Sequence, residues 1–343
     1  MENSDAKHFQ ESLQAYANAL TGDDATFIEI KSAADNLHSL FVKAGGINAL
    51  ADDAPGTYSA FGLAVSPVSA GRCLLDSMRT RKFARGLRLA LNHKLQSGSN
   101  KPLNVLYAGS GPYALLAVLM TPYFKPEELQ FSIIDIHRKS VDSVKEIISQ
   151  FNLSAYFKEV ILSDAIKYKA AENNKPDVLI IEAMLNALQK ESQVAIAANL
   201  APQLSDDGIM IPEEITVTPV FIEIHIRNAM MLGNDISNFT QAASHPLAPA
   251  VKLNKASAIA ASKNINRPFI PLVLKPEEDF LLPNYELELQ TTIKVWGEEM
   301  LQLSDSALTM PLKIASGEEL FGKKRITFNY NNGPLPGFTW KIE

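Results

Sequence analysis

The chain has 343 residues, of which 46% are hydrophobic and 20% are charged, and its formal net charge is -6 at pH 7. This length predicts two domains, or one large domain with a cap, of ordinary globular composition. The negative charge gives no general attraction to nucleic acid or to an anionic membrane, and no apolar run approaches the roughly 18 residues of a transmembrane helix. Because Cys73 is the single cysteine and the first ten residues do not resemble a signal peptide, we expect a cytoplasmic protein without disulfides.

Residues 1–98 form a region that we predict to be mostly helical. Apolar residues recur at helical spacing within 13–20 and 74–91, on either side of a looser stretch at 45–69 that contains glycine and proline. The second helical stretch carries a basic cluster, most of which we interpret as a solvated helix face. The cluster consists of Arg72, Arg79, Arg81, Lys82, Arg85 and Arg88.

Residues 99–212 alternate between strand and helix patterns. Nearly continuous apolar strands between helices indicate a mostly parallel sheet that is buried on both faces, which is typical of a doubly wound α/β domain. The predicted strands are 103–107, 131–136, 160–162 and 177–181, and the predicted helices are 114–120, 140–151 and 190–204.

Residues 213–343 change to a β-rich pattern in which apolar and polar residues partly alternate. We predict strands at 215–226, 285–296 and 326–330. A segment of about 228–264 interrupts this pattern with Met, Ala and Ser, and we predict it to be a helical insertion.

A short loop after the first strand of the α/β region has the composition of a nucleotide-binding turn. Ala108, Gly109, Ser110 and Gly111 follow the apolar strand and precede an apolar helix. Small residues let the backbone approach a ligand closely, and a helix N-terminus offers free N–H donors. By itself this pattern is equally consistent with a plain tight turn between a strand and a helix.

The next two strands both end near an acidic residue. Asp135 and Ile136 close the second strand, and Asp164 and Ala165 follow the third. A carboxylate at the end of the second strand can accept hydrogen bonds from both ribose hydroxyls of an adenosine, and the acid after the third strand falls near the adenine amine. Since ligands bind at the carboxyl ends of strands in open α/β sheets, these strand ends together predict a cofactor site.

This block resembles the class I S-adenosylmethionine-dependent methyltransferases, and the resemblance implies S-adenosylmethionine as the cofactor. Two positions differ from the usual first motif of that class: Tyr107 stands where an acid is common, and Tyr113 where a third glycine is common. The Gly-Ser-Gly-Pro string is also similar to that of nicotianamine synthases, which use the same cofactor differently. An aminocarboxypropyl transferase is therefore an alternative.

Along much of its length the chain also resembles the protein arginine methyltransferases. Residues 74–83 look like that family's helix entering the cofactor site, with its Arg-Thr pair at Arg79 and Thr80. The resemblance implies that Arg79 pairs with the carboxylate of the cofactor, a charge-assisted contact that suits a guanidinium. The alternative is that Arg79 is a helix-surface arginine within a basic stretch.

Glu182 and Glu191 are nine residues apart, which is the interval of that family's paired-glutamate hairpin. The resemblance implies that both are catalytic, that they hold a guanidinium and orient one nitrogen at the sulfonium methyl, and that Glu182 also borders the cofactor. Residues 183–190, however, read as a good helix, which would span roughly 13 Å and turn the two side chains to opposite faces. Both acids converge only if this stretch is bent; otherwise Glu191 is a helix-surface acid.

The C-terminal region adds to the resemblance and also departs from it. Residues 317–322 resemble a turn in the family's β-barrel domain. The implied fold is a Rossmann-like doubly wound methyltransferase domain with a helical N-terminal region and a C-terminal β-barrel-like domain. The segment after Ile226, including 233–237, lies where the family carries a dimerisation arm, which implies a homodimer. The family's Thr-His-Trp loop has no match in the corresponding stretch, 306–310.

Together these features predict an S-adenosylmethionine-dependent methyltransferase. Its acceptor is a nitrogen, with a guanidinium among the candidates, or an oxygen of a peptide, a protein or a small molecule. We expect no nucleic-acid or membrane partner, and no Cys/His spacing predicts a metal site. A second alternative is a non-catalytic protein that binds the cofactor on the same fold.

Overall fold

The computed structural model of the chain describes residues 3–52, 55–98, 102–231, 244–275 and 284–343. Within these ranges no helix combines the length and the apolar character needed to cross a membrane. A helical N-terminal part, a parallel sheet and an antiparallel β region follow one another along the chain.

Two long helices and a small hairpin precede the helix that leads into the sheet. α2 begins at a capping box in which the side chains of Thr26 and Glu29 each accept the other's backbone N–H, and it ends at Gly46, whose φ of +76° suits a left-handed cap. Its buried face, which includes Leu37 and Phe41, packs against α1. The elements are α1 (Asn3–Thr21), α2 (Phe27–Gly45), β1 (Thr57–Ser59), β2 (Gly62–Ala64), α3 (Pro67–Gly71) and α4 (Ser77–Gln96).

Five parallel strands form the central sheet in the order β5-β4-β3-β6-β7. The chain builds outward from β3 to β5, then returns to add β6 and β7 on the other side, so that β3 and β6 flank the topological switch point where such sheets bind ligands. The predicted Rossmann-like α/β fold is thus confirmed. The elements are β3 (Leu103–Ala108), α5 (Leu115–Met120), β4 (Leu129–Asp135), α6 (Arg138–Gln150), β5 (Phe157–Leu162), β6 (Val178–Ile181), α7 (Gln193–Leu200) and β7 (Ile209–Ile211).

The C-terminal region contains two antiparallel sheets. The larger has the order β10-β8-β12-β13, with β14 also paired to β12 and β9 to β8, and the smaller has the order β11-β15-β16. The elements are β8 (Glu214–Glu223), α8 (Ile224–Met231), β9 (Ser244–Pro246), β10 (Val251–Asn254), α9 (Lys255–Ala261), β11 (Leu272–Leu274), β12 (Tyr285–Trp296), β13 (Glu299–Leu301), β14 (Leu312–Ser316), α10 (Gly317–Leu320), β15 (Ile326–Asn331) and β16 (Gly337–Ile342).

Three predicted elements differ from the structure. The helix predicted at 190–204 is reduced to α7 and a 3-10 turn, where Pro202 lacks a backbone N–H. The strand predicted at 215–226 ends at Glu223, because its register with β12 ends at the pair of Glu223 and Tyr285. The insertion at 228–264 is only partly helical, since β9 and β10 extend the sheet from β8. Its residues 233–237 lie outside the described residues.

The interpretation of the basic cluster as a solvated helix face is wrong for most of its members. Lys82 and Arg85 of α4 both pair with the buried Glu299 of β13, at 3.1 Å and 2.7 Å. Arg81 donates to the backbone carbonyl of Gly22 at 2.7 Å, just after α1 ends. These cations therefore tie α4 to the N-terminal helices and to the C-terminal sheet.

Candidate active site

The loop between β3 and α5 contains two glycines in the left-handed region. Gly109 has a φ of +74° and Gly111 a φ of +61°. A Cβ atom at Gly109 would lie 2.8 Å from the carbonyl oxygen of Glu182, and one at Gly111 would lie 3.2 Å from the Cβ of Ala70. Only glycine fits this backbone without strain, so the loop leaves its surface free of side chains at these two positions.

Asp135 ties the end of β4 to this loop. Its carboxylate is buried and accepts the backbone N–H of Gly111 at 3.0 Å and of His137 at 2.8 Å. Burial raises the pKa of Asp135, while the two backbone donors oppose that shift. At the end of β5, Asp164 is half-buried and accepts the backbone N–H of Ile166 at 3.0 Å. The two acids therefore stand at the same edge of the sheet.

A first cavity lies over these strand ends. Seven of the residues predicted to bind a cofactor line it together with Glu191: Gly109, Gly111, Asp135, Ile136, Asp164, Ala165 and Glu182. Ala108 differs from the prediction, because it is fully buried in β3 and lines neither cavity described here. Its carbonyl instead accepts the backbone N–H of Glu182 at 3.1 Å.

The β1–β2 hairpin covers this cavity. Ser59, Leu63 and Ala64 line the cavity, and the backbone N–H of Leu63 donates to the carbonyl of Lys190 at 2.7 Å. Gly62 approaches the same segment so closely that a Cβ would lie 2.9 Å from the carbonyl oxygen of Lys190. No strand was predicted within the loose stretch at 45–69, because three-residue strands carry almost no periodic signal.

A second cavity adjoins the first and shares Gly109, Gly111, Glu182 and Glu191 with it. It is lined on its own side by residues of α3, the α3–α4 connection, α4, β3, the β3–α5 loop, α5, the β6–α7 loop and the β13–β14 loop. These include Ser69, Cys73, Arg79, Tyr107, Ser110, Tyr113, Met184 and Leu308. Burial raises the pKa of the Cys73 thiol to about 11, so this cysteine is neutral at physiological pH.

In the described part of the chain, no group of three or more His, Cys, Asp or Glu side chains could hold a metal ion.

Glu182 lies at the junction of the two cavities and has two side-chain partners. The Arg79 guanidinium approaches its Oε1 at 3.1 Å, and both side chains are only 9% exposed. The hydroxyl of the fully buried Tyr107 donates to its Oε2. Burial, together with the Glu182 carboxylate, raises the pKa of Tyr107 well above its usual value, so the phenol remains a donor.

The prediction that residues 183–190 form a helix is wrong. The backbone turns through a 3-10 segment with positive φ at Ala187 (+53°), Leu188 (+52°) and Lys190 (+65°). The backbone N–H of Ala187 donates to the hydroxyl of Thr291 at 2.8 Å, and that of Lys190 donates to the carbonyl of Pro336 at 2.8 Å. These contacts with the C-terminal region outweigh the helix propensity of the segment.

The bend brings Glu191 back to the junction that Glu182 occupies. Both acids line both cavities. Burial raises the pKa of Glu191 to about 7, and the positive charge of Arg79 opposes that shift. Glu191 can therefore exchange a proton near neutral pH.

Comparisons with known proteins identify the fold. No protein-family model and no curated protein sequence matches the chain. Solved structures do match: a Trypanosoma brucei PRMT1 enzyme-prozyme heterotetrameric complex with AdoHcy shares 15% identity over 79% of this chain and 92% of its own, with a TM-score of 0.50. PRMT6 with SAH shares 12% identity over 79% of this chain and 98% of its own, with a TM-score of 0.54. A second PRMT6 structure shares 13% identity over 80% of this chain and 99% of its own, also with a TM-score of 0.54. The chain therefore has the fold of the protein arginine methyltransferases, as its sequence motifs predicted.

Proposed function

We propose that the chain is an S-adenosylmethionine-dependent methyltransferase that methylates a nitrogen or an oxygen of a peptide, a protein or a small molecule. The observation that carries the proposal is the pair of joined cavities. Asp135 and Asp164 line the first, Arg79 lines the second, and the Gly109–Gly111 loop borders both. An adenosyl group and an amino-acid tail require these two environments side by side.

The first cavity fits the adenosine half of the cofactor. Each Asp135 oxygen accepts one backbone N–H and retains lone-pair capacity for a ribose hydroxyl. His137 also lines this cavity, and its Nε2 atom is buried without a hydrogen-bond partner among the described residues. Buried polar atoms are normally satisfied, so an unsatisfied nitrogen beside the cavity supports a polar ligand there.

The second cavity fits the amino-acid tail. Arg79 uses one terminal nitrogen for Glu182, while its Nε atom is buried and without a partner in the part of the chain that the structure describes. A guanidinium has five N–H donors in a fixed fork, so Arg79 can hold a carboxylate and keep its contact with Glu182. We propose Ser110, which also lines this cavity, as a further contact to the tail.

The two acids at the junction stand where a nucleophile would meet the cofactor. When bound, the cofactor supplies a methyl group activated by a sulfonium charge. We propose that Glu182 and Glu191 are the catalytic acids that border the point of in-line attack, where orientation of the acceptor lowers the reaction barrier. With its pKa of about 7, Glu191 is suited to take the proton that the acceptor loses.

The structural neighbours support this proposal. The Trypanosoma brucei complex contains AdoHcy, and one of the PRMT6 structures contains SAH. Both abbreviations denote S-adenosylhomocysteine, the product that S-adenosylmethionine becomes after methyl transfer. Their name makes a guanidinium nitrogen one candidate acceptor for this chain. A homodimer is also part of the proposal, and light scattering on the purified protein tests it directly.

Calorimetric titration with S-adenosylhomocysteine and methylthioadenosine, which lacks the amino-acid tail, tests the site. We expect Asp135→Asn to weaken both ligands by about tenfold to a hundredfold, since a hydrogen bond to a charged group contributes about 1.5–3 kcal/mol. Arg79→Lys is expected to weaken S-adenosylhomocysteine alone. The control is Arg138→Lys, an exposed arginine on α6.

Two results would contradict the proposal. If the folded wild-type protein binds neither ligand, the assigned cavities are not a cofactor site. If Arg79→Lys weakens both ligands equally, the tail does not lie in the second cavity. Product analysis with labelled S-adenosylmethionine then tests the reaction itself, because methyl transfer releases S-adenosylhomocysteine, whereas aminocarboxypropyl transfer releases methylthioadenosine.

A further inference from the structure

The junction of the two cavities has an unequal pair of carboxylates. Both oxygens of Glu182 already have partners, Arg79 on one side and the Tyr107 hydroxyl on the other. Glu191 lines the same junction and has no side-chain hydrogen bond or ion pair among the described residues. One carboxylate is therefore committed to the protein, and one is available to an incoming group.

The ionisable groups of the second cavity are few. Its lining contains one cation, Arg79, and two acids, Glu182 and Glu191. Cys73 and the tyrosines Tyr107 and Tyr113 also line it, and burial raises the pKa of all three, so they add no charge near neutral pH. Asp135 and Asp164 line the first cavity and are absent from the lining of the second.

We propose that the acceptor is an electrically neutral nucleophile with an N–H or O–H group, held by Glu191 alone, and not a guanidinium held between two carboxylates. This inference rests on the proposed function and narrows its substrate class. Because Tyr107 is a neutral donor to Glu182, it fixes this acid in a pair with Arg79 and adds no negative charge of its own.

Charge balance leads to the same class. Arg79 and Glu182 cancel one another, and the net positive charge of S-adenosylmethionine is cancelled by ionised Glu191. With a neutral acceptor, the charged groups that line the second cavity balance the charge of the cofactor, whereas a guanidinium would add one uncompensated positive charge there. An uncompensated charge in a desolvated site is strongly unfavourable. Since the pKa of Glu191 is about 7, Glu191 is protonated and uncharged in a fraction of the protein molecules at neutral pH.

The chemical step balances with this acceptor. The acceptor nitrogen or oxygen forms a bond to the methyl carbon as the sulfur–methyl bond breaks, and the electron pair of that bond remains on sulfur. The proton of the acceptor passes to the Glu191 carboxylate. The products are the methylated acceptor, the thioether and the protonated Glu191, and each is neutral at its reacting group. The loss of charge during the reaction is favourable in a site of low dielectric constant.

The test compares two probes that differ only in charge: the acetylated methylamides of arginine and of its neutral isostere citrulline. They are titrated into protein saturated with sinefungin, a cofactor analogue in which an ammonium replaces the sulfonium charge. We expect wild type to bind the arginine probe no more tightly than the citrulline probe. A tenfold or greater preference of wild type for the arginine probe overturns the inference, whatever the variants do.

Tyr107→Asp adds the negative charge that the junction lacks and should raise the preference for the arginine probe over the citrulline probe at least tenfold. Tyr107→Phe is the matched control, because it removes the hydroxyl without adding charge and should create no such preference. If Tyr107→Asp does not fold, Cys73→Asp adds the charge from another wall of the second cavity. A folded acidic variant without increased preference also overturns the inference. Failure of sinefungin to bind wild type would instead refute the proposed function itself.

Discussion

Gly109 is the position where a single methyl group should do the most damage to the site. Its φ of +74° is left-handed, and an added Cβ would lie 2.8 Å from the carbonyl oxygen and 3.3 Å from the carbonyl carbon of Glu182. The obstacle is backbone and cannot rotate away. Gly109→Ala must therefore move the loop, the end of β6, or both.

The magnitude has two parts. A non-glycine residue in the left-handed region costs about 1–2 kcal/mol. Forcing an extra methyl group into a packed site costs typically about 1–3 kcal/mol more. We expect Gly109→Ala to lower the free energy of unfolding by about 2–5 kcal/mol in total. Because the displaced carbonyl belongs to Glu182, the affinity for S-adenosylhomocysteine should fall at least tenfold.

Gly46→Ala separates the two parts. Gly46 has nearly the same φ, +76°, but a Cβ there would meet nothing within 4 Å. This control should lose only the conformational part, about 1–2 kcal/mol, and should keep wild-type affinity. Urea unfolding followed by circular dichroism, with calorimetry for the ligand, measures both effects. If Gly109→Ala is no less stable than Gly46→Ala and binds the ligand normally, the close approach of the loop to β6 is wrong.

Three further changes test other parts of the structure. In the folded protein the pKa of Glu191 is about 7, above its ordinary value of 4.5. Its contribution to the free energy of unfolding therefore falls as the pH rises from about 4.5 to 7. Glu191→Gln should remove this pH dependence, which is measured by unfolding the protein at a series of pH values. The same variant should abolish the rise in affinity for S-adenosylmethionine relative to S-adenosylhomocysteine between about pH 6 and 8, because only the ionised acid attracts the sulfonium. Glu299→Gln removes the charge that pairs with the partly exposed Lys82 and Arg85, and it should lower the free energy of unfolding by about 1–3 kcal/mol. Ligand affinity should not change, because Glu299 lines neither cavity. A loss of affinity would contradict this expectation. Gly62→Ala should lift the hairpin from Lys190 and speed ligand dissociation in stopped-flow measurements, and an unchanged rate would show that the hairpin does not retain the ligand.

The parts of the site that could be predicted from sequence are those that local pattern determines. Continuous apolar runs indicate buried parallel strands, and the residue that follows such a run must lie at the carboxyl edge of the sheet. Asp135, Asp164 and the glycine loop were placed correctly at that edge because nothing beyond their own strands is needed to place them. Their role in binding a cofactor stays a prediction.

The errors fall where distant parts of the chain decide the conformation. Residues 183–190 have good helix propensity, yet hydrogen bonds from their backbone N–H groups to Thr291 and Pro336 hold them in a bend. The basic face of α4 was interpreted as solvated because its acidic partner, Glu299, lies more than 200 residues away in sequence. No local window contains either partner, so neither contact has a sequence signal.

Tyr107 connects the sequence departure with the chemistry of the site. In the sequence it is a deviation from the first motif of the class I methyltransferases, and it could be taken as a sign of a degenerate cofactor site. In the structure Tyr107 lines only the second cavity, and its hydroxyl donates to Glu182. The strand-end acids of the first cavity are independent of it. Under the proposed function, a tyrosine at this position changes which acceptor the junction tolerates and leaves the adenosine side intact.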